Sequence, residues 1–220
     1  MMGNMPGLLE FLQGNQDFVL ASLRQHVLIC ITAISIGFAV AFPAGILLTR
    51  NKKVASVILA FFGVVNTIPS LVLLGVAMIV LGLGFTPAVA VLFVYSLLPI
   101  MRNTYTGIVE VPPKYIKAAT GMGMSRIQML MKVQIPLALP AIITGVRLST
   151  VYVISWATLS AFIGAGGLGD LIWSGLQTFN FTMVMVGAFA ATLLAITSGI
   201  LFSFAEKASL RHAQGGRGSK

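Results

Sequence analysis

The feature that most limits the possible folds is a long stretch without charge. Between Lys53 and Arg102 the chain contains no Asp, Glu, Lys or Arg. A single helix of that length would measure roughly 70 Å, more than twice the roughly 30 Å hydrocarbon core of a bilayer. The stretch therefore predicts two membrane-spanning helices. The turn between them is predicted at residues 82–87, where the sequence GLGFTP contains two glycines and a proline.

Three further apolar runs predict three more spans. The composition agrees, since 57% of the residues are hydrophobic and 9% are charged, against roughly a quarter charged in soluble domains. Strands of a membrane barrel would alternate polar and apolar residues, whereas these runs are apolar throughout, so the fold class is an all-α integral membrane protein. The predicted organisation is an outer lead-in at 1–24, a transmembrane domain at 25–206 and a tail at 207–220, with spans at about 26–49, 54–81, 88–107, 140–162 and 181–205.

The distribution of Lys and Arg predicts the orientation. Basic residues are retained on the cytoplasmic side, and five spans place all but one of the main basic residues on one side, with only Arg24 on the other. The N-terminus is therefore expected outside and the C-terminus inside. The net charge of +9 is explained by this topology, so we expect lipid contact and no nucleic-acid partner. The residues on the basic side are Arg50, Lys52, Lys53, Lys114, Lys117, Arg126, Lys132, Lys207, Arg211, Arg217 and Lys220.

The sequence lacks the residue patterns that several kinds of catalytic and binding site require. The phosphate-binding pattern G-x-x-x-x-G-K-[ST] is absent, as are H-E-x-x-H and G-x-S-x-G, so we expect no ATPase site, no enzymatic activity and no cofactor in this chain. The acidic residues and both histidines lie near or beyond the span ends, which disfavours coupling to an ion gradient. The single cysteine, Cys30, excludes an intramolecular disulfide and a thiolate metal cluster. Energy for any transport must come from another subunit.

The polar loop at 110–139 contains the most specific motif. Lys117-Ala118-Ala119-Thr120-Gly121-Met122-Gly123 is followed after nine residues by Val133-Gln134-Ile135-Pro136. This resembles the EAA loop of ABC importer permeases, E-A-A-x-x-x-G and then I-x-L-P, with Lys117, Val133 and Ile135 as departures. Small residues would let a short helix enter a cleft on a partner, and methionines adapt to irregular surfaces. The alternative is a basic loop lying on lipid headgroups. The candidate ATPase-coupling residues are Lys117, Ala118, Ala119, Gly121, Met122, Gly123 and Met124.

Other runs extend the resemblance over about residues 20–205. The segments 66–70, 97–108, 121–124 and 162–170 are similar to permeases of the osmoprotectant group, which import glycine betaine, carnitine and choline. The resemblance implies a type I ABC importer permease (MetI-like) architecture in the bacterial cytoplasmic membrane. It further implies a second permease subunit, identical or different, two cytoplasmic ATPases that bind ATP, and an external substrate-binding protein. The alternatives are an importer of another solute, such as an amino acid, a thiolated betaine or a bile acid, and a channel or scaffold without an ATPase.

Three groups of residues are candidates for the path and its outer gate. Asn66, Thr67 and Ser70 surround Pro69 within the second span, where they could face the path or satisfy carbonyls freed by the proline. Tyr152 and Trp156 are one turn apart on the fourth span and could contact a cation in transit, or pack against lipid or in the core. The outer-loop residues Gly164, Gly166, Gly167 and Asp170 could brace a gate, meet the binding protein or form a tight turn.

Overall fold

The computed structural model of the protein describes residues 7–213, without the side chains of residues 8, 9 and 211–213. Residues 1–6 of the predicted lead-in and 214–220 of the predicted tail lie outside it. The described chain is helical throughout. Its α-helices are α1 Leu8–Gly14, α2 Gln16–Leu48, α3 Lys52–Val65, α4 Ser70–Leu81, α5 Phe85–Val109, α6 Pro113–Gly121, α7 Arg126–Met129, α8 Ile135–Ala157, α9 Leu168–Gln177 and α10 Phe181–Ala213. A π-helical turn, Leu130–Gln134, joins α7 to α8, and a 3-10 helix, Thr158–Ile163, extends α8.

The helices confirm an all-α membrane architecture, with four to five candidate spans. Four segments are long and apolar enough to cross a bilayer: α2, α5, the continuous helix Arg126–Ile163, and α10 over Phe181–Leu210. The pair α3 and α4 is apolar and long enough only when taken together, and it is bent by 89° at its break, as in a broken span or a re-entrant loop. The second predicted span is therefore two half-helices. The polar loop predicted at 110–139 is largely helical, and from Arg126 onward it is continuous with the fourth span.

Helix α5 is the centre of the bundle and packs between α2 and α8. A ridge of small residues on α2 faces it, comprising Ala33, Gly37, Ala41 and Gly45, all buried. A Cβ atom at Gly45 would come within 2.7 Å of the Thr104 Cβ. Because lipid tails are as apolar as the helices, close packing of small residues is what favours helix association in a membrane. The ridge therefore fixes how α2 lies on α5.

The opposite face of α5 packs against α8 in the same way. A Cβ atom at Gly145 of α8 would lie 2.7 Å from the Asn103 Cβ and 2.9 Å from the Pro99 carbonyl oxygen. A Cβ at Gly107 of α5 would lie 2.8 Å from the Ala141 Cβ. Small residues thus bring both neighbours into backbone contact with α5.

A polar cluster joins α8 to α10 near the basic end of the bundle. Arg147 donates to the Ser203 hydroxyl at 2.8 Å and pairs with the Glu206 carboxylate at 3.1 Å. An arginine within a span is costly unless it is paired or reaches the interface. The pairing explains how α8 carries Arg147 among apolar neighbours.

Candidate functional site

A cavity lies where the second span is broken. Its volume is about 400 Å³. It brings together four of the predicted path residues from the break with Trp156 of α8, which is far away in sequence. The lining residues are Asn66, Thr67, Ile68, Pro69, Ser70, Leu71, Tyr95, Trp156 and Leu159.

Polar side chains terminate α3 at this break. Pro69 has no N–H and cannot continue the ladder, and it takes the N-cap position of α4. Asn66 donates its side-chain amide to the Phe62 carbonyl at 3.1 Å, and the Thr67 hydroxyl donates to the Val64 carbonyl at 2.7 Å. Asn66 and Thr67 therefore line the cavity and also bond carbonyls at the helix end, while their place in the path stays a prediction.

Tyr95 of α5 forms the inner wall of the cavity. Its hydroxyl donates to the Ile68 carbonyl at 2.5 Å, and its ring centroid lies 4.4 Å from that of Trp156. The sequence analysis did not identify Tyr95, since a tyrosine inside an apolar run has no local signal that separates a cavity wall from ordinary packing. The hydrogen bond ties α5 to the break.

Tyr152 also packs against Trp156. The two ring centroids are 5.6 Å apart, as expected for residues one turn apart. Tyr152 is exposed and does not line the cavity. Trp156 thus contacts both tyrosine rings, and of the three rings those of Tyr95 and Trp156 line the cavity.

The loop before α9 is built on glycines in the left-handed region. Gly164, Gly166 and Gly167 have φ values of 70°, 78° and 87°. The amide of Gln25 in α2 donates to the Ala165 carbonyl at 2.8 Å, and a side chain at Gly166 would overlap that amide. The tight-turn interpretation therefore applies to this loop, and its glycines also admit the close approach of α2.

His26 joins the same loop to α8. Its Nδ1 accepts the Leu168 N–H at 3.3 Å, and its Nε2 lies 3.1 Å from the Ile154 carbonyl oxygen. These two contacts require the neutral tautomer with the proton on Nε2. The imidazole is fully buried. The sequence analysis treated His26 only as a span-end residue, because its partners are distant in sequence.

Asp170 lies in the first turn of α9 and not in the loop where the sequence analysis placed it. Its side chain is half-buried, and this burial raises the pKa of the carboxyl above its ordinary value of 3.8. The start of a helix favours a negative charge, so burial and the helix terminus act on this group in opposite directions. Among the described residues, no three His, Cys, Asp or Glu side chains are grouped so that they could hold a metal ion.

The EAA-like motif forms a helix–turn–helix that we call the coupling turn, residues 113–129. Helix α6 ends in a Schellman motif, in which the Met124 N–H donates to the Ala119 carbonyl at 3.1 Å and the Gly123 N–H to the Thr120 carbonyl at 3.0 Å. Gly123 has a φ of 73°. Helix α7 then starts with a capping box between Ser125 and Gln128. Each end of the turn is therefore closed by its own hydrogen bonds.

Apolar side chains of the coupling turn are exposed. Met122 and Ile127 are 68% and 75% exposed, and Lys117 and Ala118 are also at the surface. Ala119 is fully buried within the chain. Ala119 is therefore small because of internal packing, and Gly123 is a glycine because of its backbone conformation, whereas the sequence analysis attributed both to entry into a partner's cleft. The assignment of these residues to coupling stays a prediction.

The geometry defines a class: a multi-span helical membrane protein with an open cavity at a broken helix and a structured turn at the basic end. The chain belongs to the family of binding-protein-dependent transport system inner membrane components, whose profile matches residues 31–212.

Relatives of known name cover most of the chain. It is 44% identical to the carnitine transport permease protein OpuCB of Listeria monocytogenes, over 87% of this chain and 88% of that protein. It is 42% identical to the glycine betaine/carnitine/choline transport system permease protein OpuCB of Bacillus subtilis, over 91% and 92%. It is 38% identical to the osmoprotectant import permease protein OsmY of Salmonella typhimurium, over 89% and 84%.

Solved structures share the fold. A chain of the MetNI methionine ABC transporter, in an inward-facing conformation, superposes with a TM-score of 0.79 at 20% identity, covering 89% of this chain and 98% of that one. An amino acid ABC transporter solved with histidines gives a TM-score of 0.76 at 19% identity, covering 94% and 99%. These findings confirm the MetI-like architecture and the resemblance to osmoprotectant permeases. The chain is a permease component of an ABC transporter in the inner membrane, and its family implies ATPase and substrate-binding partners.

Proposed function

We propose that this permease imports quaternary-ammonium osmoprotectants, namely glycine betaine, carnitine and choline, driven by ATP. The observation that carries the proposal is the identity of 42–44% over about nine tenths of the chain with permeases named for these solutes. The transporters of known structure are named for amino acids, but at about 20% identity they support the fold alone. An aromatic cavity without charged lining residues suits a solute whose cation cannot donate hydrogen bonds.

The proposed assembly has two permease subunits around one path, two cytoplasmic ATPases that bind ATP, and an external binding protein that delivers the solute. The N-terminus lies outside and the C-terminus in the cytoplasm, because this orientation puts the basic residues of the α2–α3 connection and of the coupling turn inside. The chain itself contributes the path and the coupling turn. The outer end is the loop closed by Gln25 and His26.

Uptake by the complete transporter tests the solute class. The tagged permease is purified from native membranes in mild detergent with its ATPases and reconstituted with the binding protein into vesicles containing ATP. We expect ATP-dependent uptake of radiolabelled glycine betaine that unlabelled carnitine and choline reduce. Competition by an amino acid, a thiolated betaine or a bile acid, with none from carnitine or choline, would assign the transporter to another solute.

Co-purification of the ATPase tests the coupling turn. Met122→Glu places a charge on its exposed apolar surface, and we expect the ATPase to be lost from the purified complex. Leu83→Glu is the matched control, because Leu83 is an equally exposed apolar residue, 72% against 68%, in the turn at the opposite end of the bundle. Retention of the ATPase by Met122→Glu would contradict docking at this surface.

A further inference from the structure

The rings of Tyr95 and Trp156 form one wall of the cavity at the helix break. A trimethylammonium group has no N–H, so a protein recognises it through aromatic faces, to which its charge is attracted. Trp is the most favourable ring for this contact, and Tyr also contributes. We propose that this cavity is a binding site within the permease itself for the trimethylammonium group of the solute in transit, with Trp156 as its main contact. The proposal rests on the proposed function.

The rings are held in place by the surrounding chain. Tyr95 is 1% exposed, and its hydroxyl is bonded to the Ile68 carbonyl at 2.5 Å, so its ring cannot turn away. Trp156 packs against Tyr95 and Tyr152, at centroid distances of 4.4 and 5.6 Å. A wall ordered before the ligand arrives loses little conformational freedom on binding.

The cavity has a suitable size and polarity for a transient site. Its volume of about 400 Å³ lies at the small end of the range of about 300–1,000 Å³ typical of small-molecule sites. None of its lining residues is Asp, Glu, Lys or Arg. Without a carboxylate to pair with the cation, binding is weak, and weak binding lets a transported solute leave again.

The start of α4, across the break from α3, suits the carboxylate of a zwitterionic solute. Helix α4 begins after Pro69 without a side-chain cap, and its first residues, Ser70 and Leu71, line the cavity. Amides at the start of a broken membrane helix attract a carboxylate. Glycine betaine and carnitine carry one and choline does not, so the site favours the first two. This second contact adds to the aromatic one and does not define the site.

Saturation-transfer difference NMR of the N-methyl protons detects such weak binding directly. The sample is the purified permease–ATPase complex, washed free of binding protein, with glycine betaine as the probe. We expect transfer in the wild type and an affinity about 2- to 30-fold weaker in Trp156→Leu, the range of a cation–π contact. Trp173→Leu is the control, since Trp173 packs on Phe162 at 4.2 Å and does not line the cavity. Uptake by the complete transporter is measured in parallel.

Each outcome decides the question. Uptake in the wild type without saturation transfer, or transfer that is equal in Trp156→Leu and the wild type, overturns the site and leaves the importer function intact. If the wild type shows neither uptake of glycine betaine nor saturation transfer to it, the proposed function is overturned as well. If Trp156→Leu fails to assemble, fluorinated tryptophan at position 156 preserves the shape and weakens the ring's attraction. Affinity must then fall stepwise with fluorine number, and it must stay constant when position 173 is fluorinated.

Discussion

Gly121 and Gly123 are both exposed in the coupling turn, and neither would bring an added Cβ within 4 Å of a neighbour. They differ in backbone conformation. Gly121 is the last residue of α6, whereas Gly123 has a φ of 73° and supplies the left-handed residue of the Schellman motif. Because both are glycines, residue type does not distinguish the two positions. The backbone conformation accepts a side chain at position 121, whereas at position 123 a side chain would be strained.

Gly123→Ala should open the end of α6, because a non-glycine residue in the left-handed region costs about 1 kcal/mol or more. We expect faster hydrogen exchange at the Gly123 and Met124 amides, by about fivefold, and slower ATP-driven uptake. Gly121→Ala is the matched control: Gly121 is within α6 and alanine favours a helix, so this substitution should neither speed the exchange nor slow the uptake. Equal effects of the two substitutions would mean that the backbone conformation of Gly123 is unimportant.

Asp170→Asn should stabilise the protein near neutral pH. Burial raises the pKa of Asp170 above 3.8, so the folded state binds this proton more tightly than the unfolded state. The stability of the wild type due to this group is greatest below pH 3.8 and falls as the pH rises through 3.8 toward the raised pKa, above which the loss is constant.

The measurement is the apparent melting temperature of the purified complex against pH. The difference between Asp170→Asn and the wild type should grow across that window. Asp17→Asn, at an exposed carboxylate in the first turn of α2, is the comparison. A difference that shrinks as the pH rises would contradict the effect of burial on Asp170.

At the scale of helices, backbone contact holds the bundle together. The ridge of α2 and Gly145 of α8 press on α5 from two sides, and dispersion forces are strongest where backbones approach most closely. The α3–α4 pair shares apolar core clusters with α5 through Ala55, Leu59 and Leu74. It has in addition the hydrogen bond from Tyr95 to the Ile68 carbonyl, so the interrupted pair is held by a polar contact as well as by packing.

Gly145→Ala should destabilise the complex. The new Cβ would lie 2.7 Å from the Asn103 Cβ, and overpacking of this kind costs about 1–3 kcal/mol. Gly199→Ala in α10 is the control, because its Cβ would meet the Val151 Cγ2 at an ordinary 3.7 Å and alanine favours a helix. We expect a lower apparent melting temperature for the first substitution only, measured by heating followed by size-exclusion chromatography. If both substitutions lowered the apparent melting temperature equally, the close contact of Gly145 with α5 would not be the cause.

For the whole molecule, hydropathy predicted a helical membrane protein with five spans. The structure and the family confirm the helical membrane class, and the structure has four to five candidate spans. That signal is local, since each apolar run reports its own membrane crossing. Pro69 likewise indicated an interrupted hydrogen-bond ladder in the second span, but the sequence did not predict the 89° bend. The meeting of this break with Tyr95 and Trp156, and the bonds of His26, depend on contacts between distant residues. A single sequence contains no local signal for such contacts.

The orientation can be tested with one cysteine at a time, because Cys30 is the single native cysteine and is buried. In a Cys30→Ala background, Thr178→Cys in the connection after α9 should react with an impermeant maleimide in intact cells. Ser125→Cys in the coupling turn should react only after the membrane is opened. If Ser125→Cys reacted in intact cells and Thr178→Cys only after the membrane is opened, the protein would have the opposite orientation.

The bonds from Gln25 and His26 to the loop before α9 also affect synthesis of the chain. Their partners, Ala165 and Leu168, are made 140 and 142 residues later, which takes about 7 to 28 seconds at about 5–20 residues per second. During that time the amide and the imidazole have no native partner, and burying them unpaired in lipid would be costly. The end of α2 that contacts this loop must therefore stay beside water or the insertion machinery until the loop has been made, so the bundle closes at this end only late in translation.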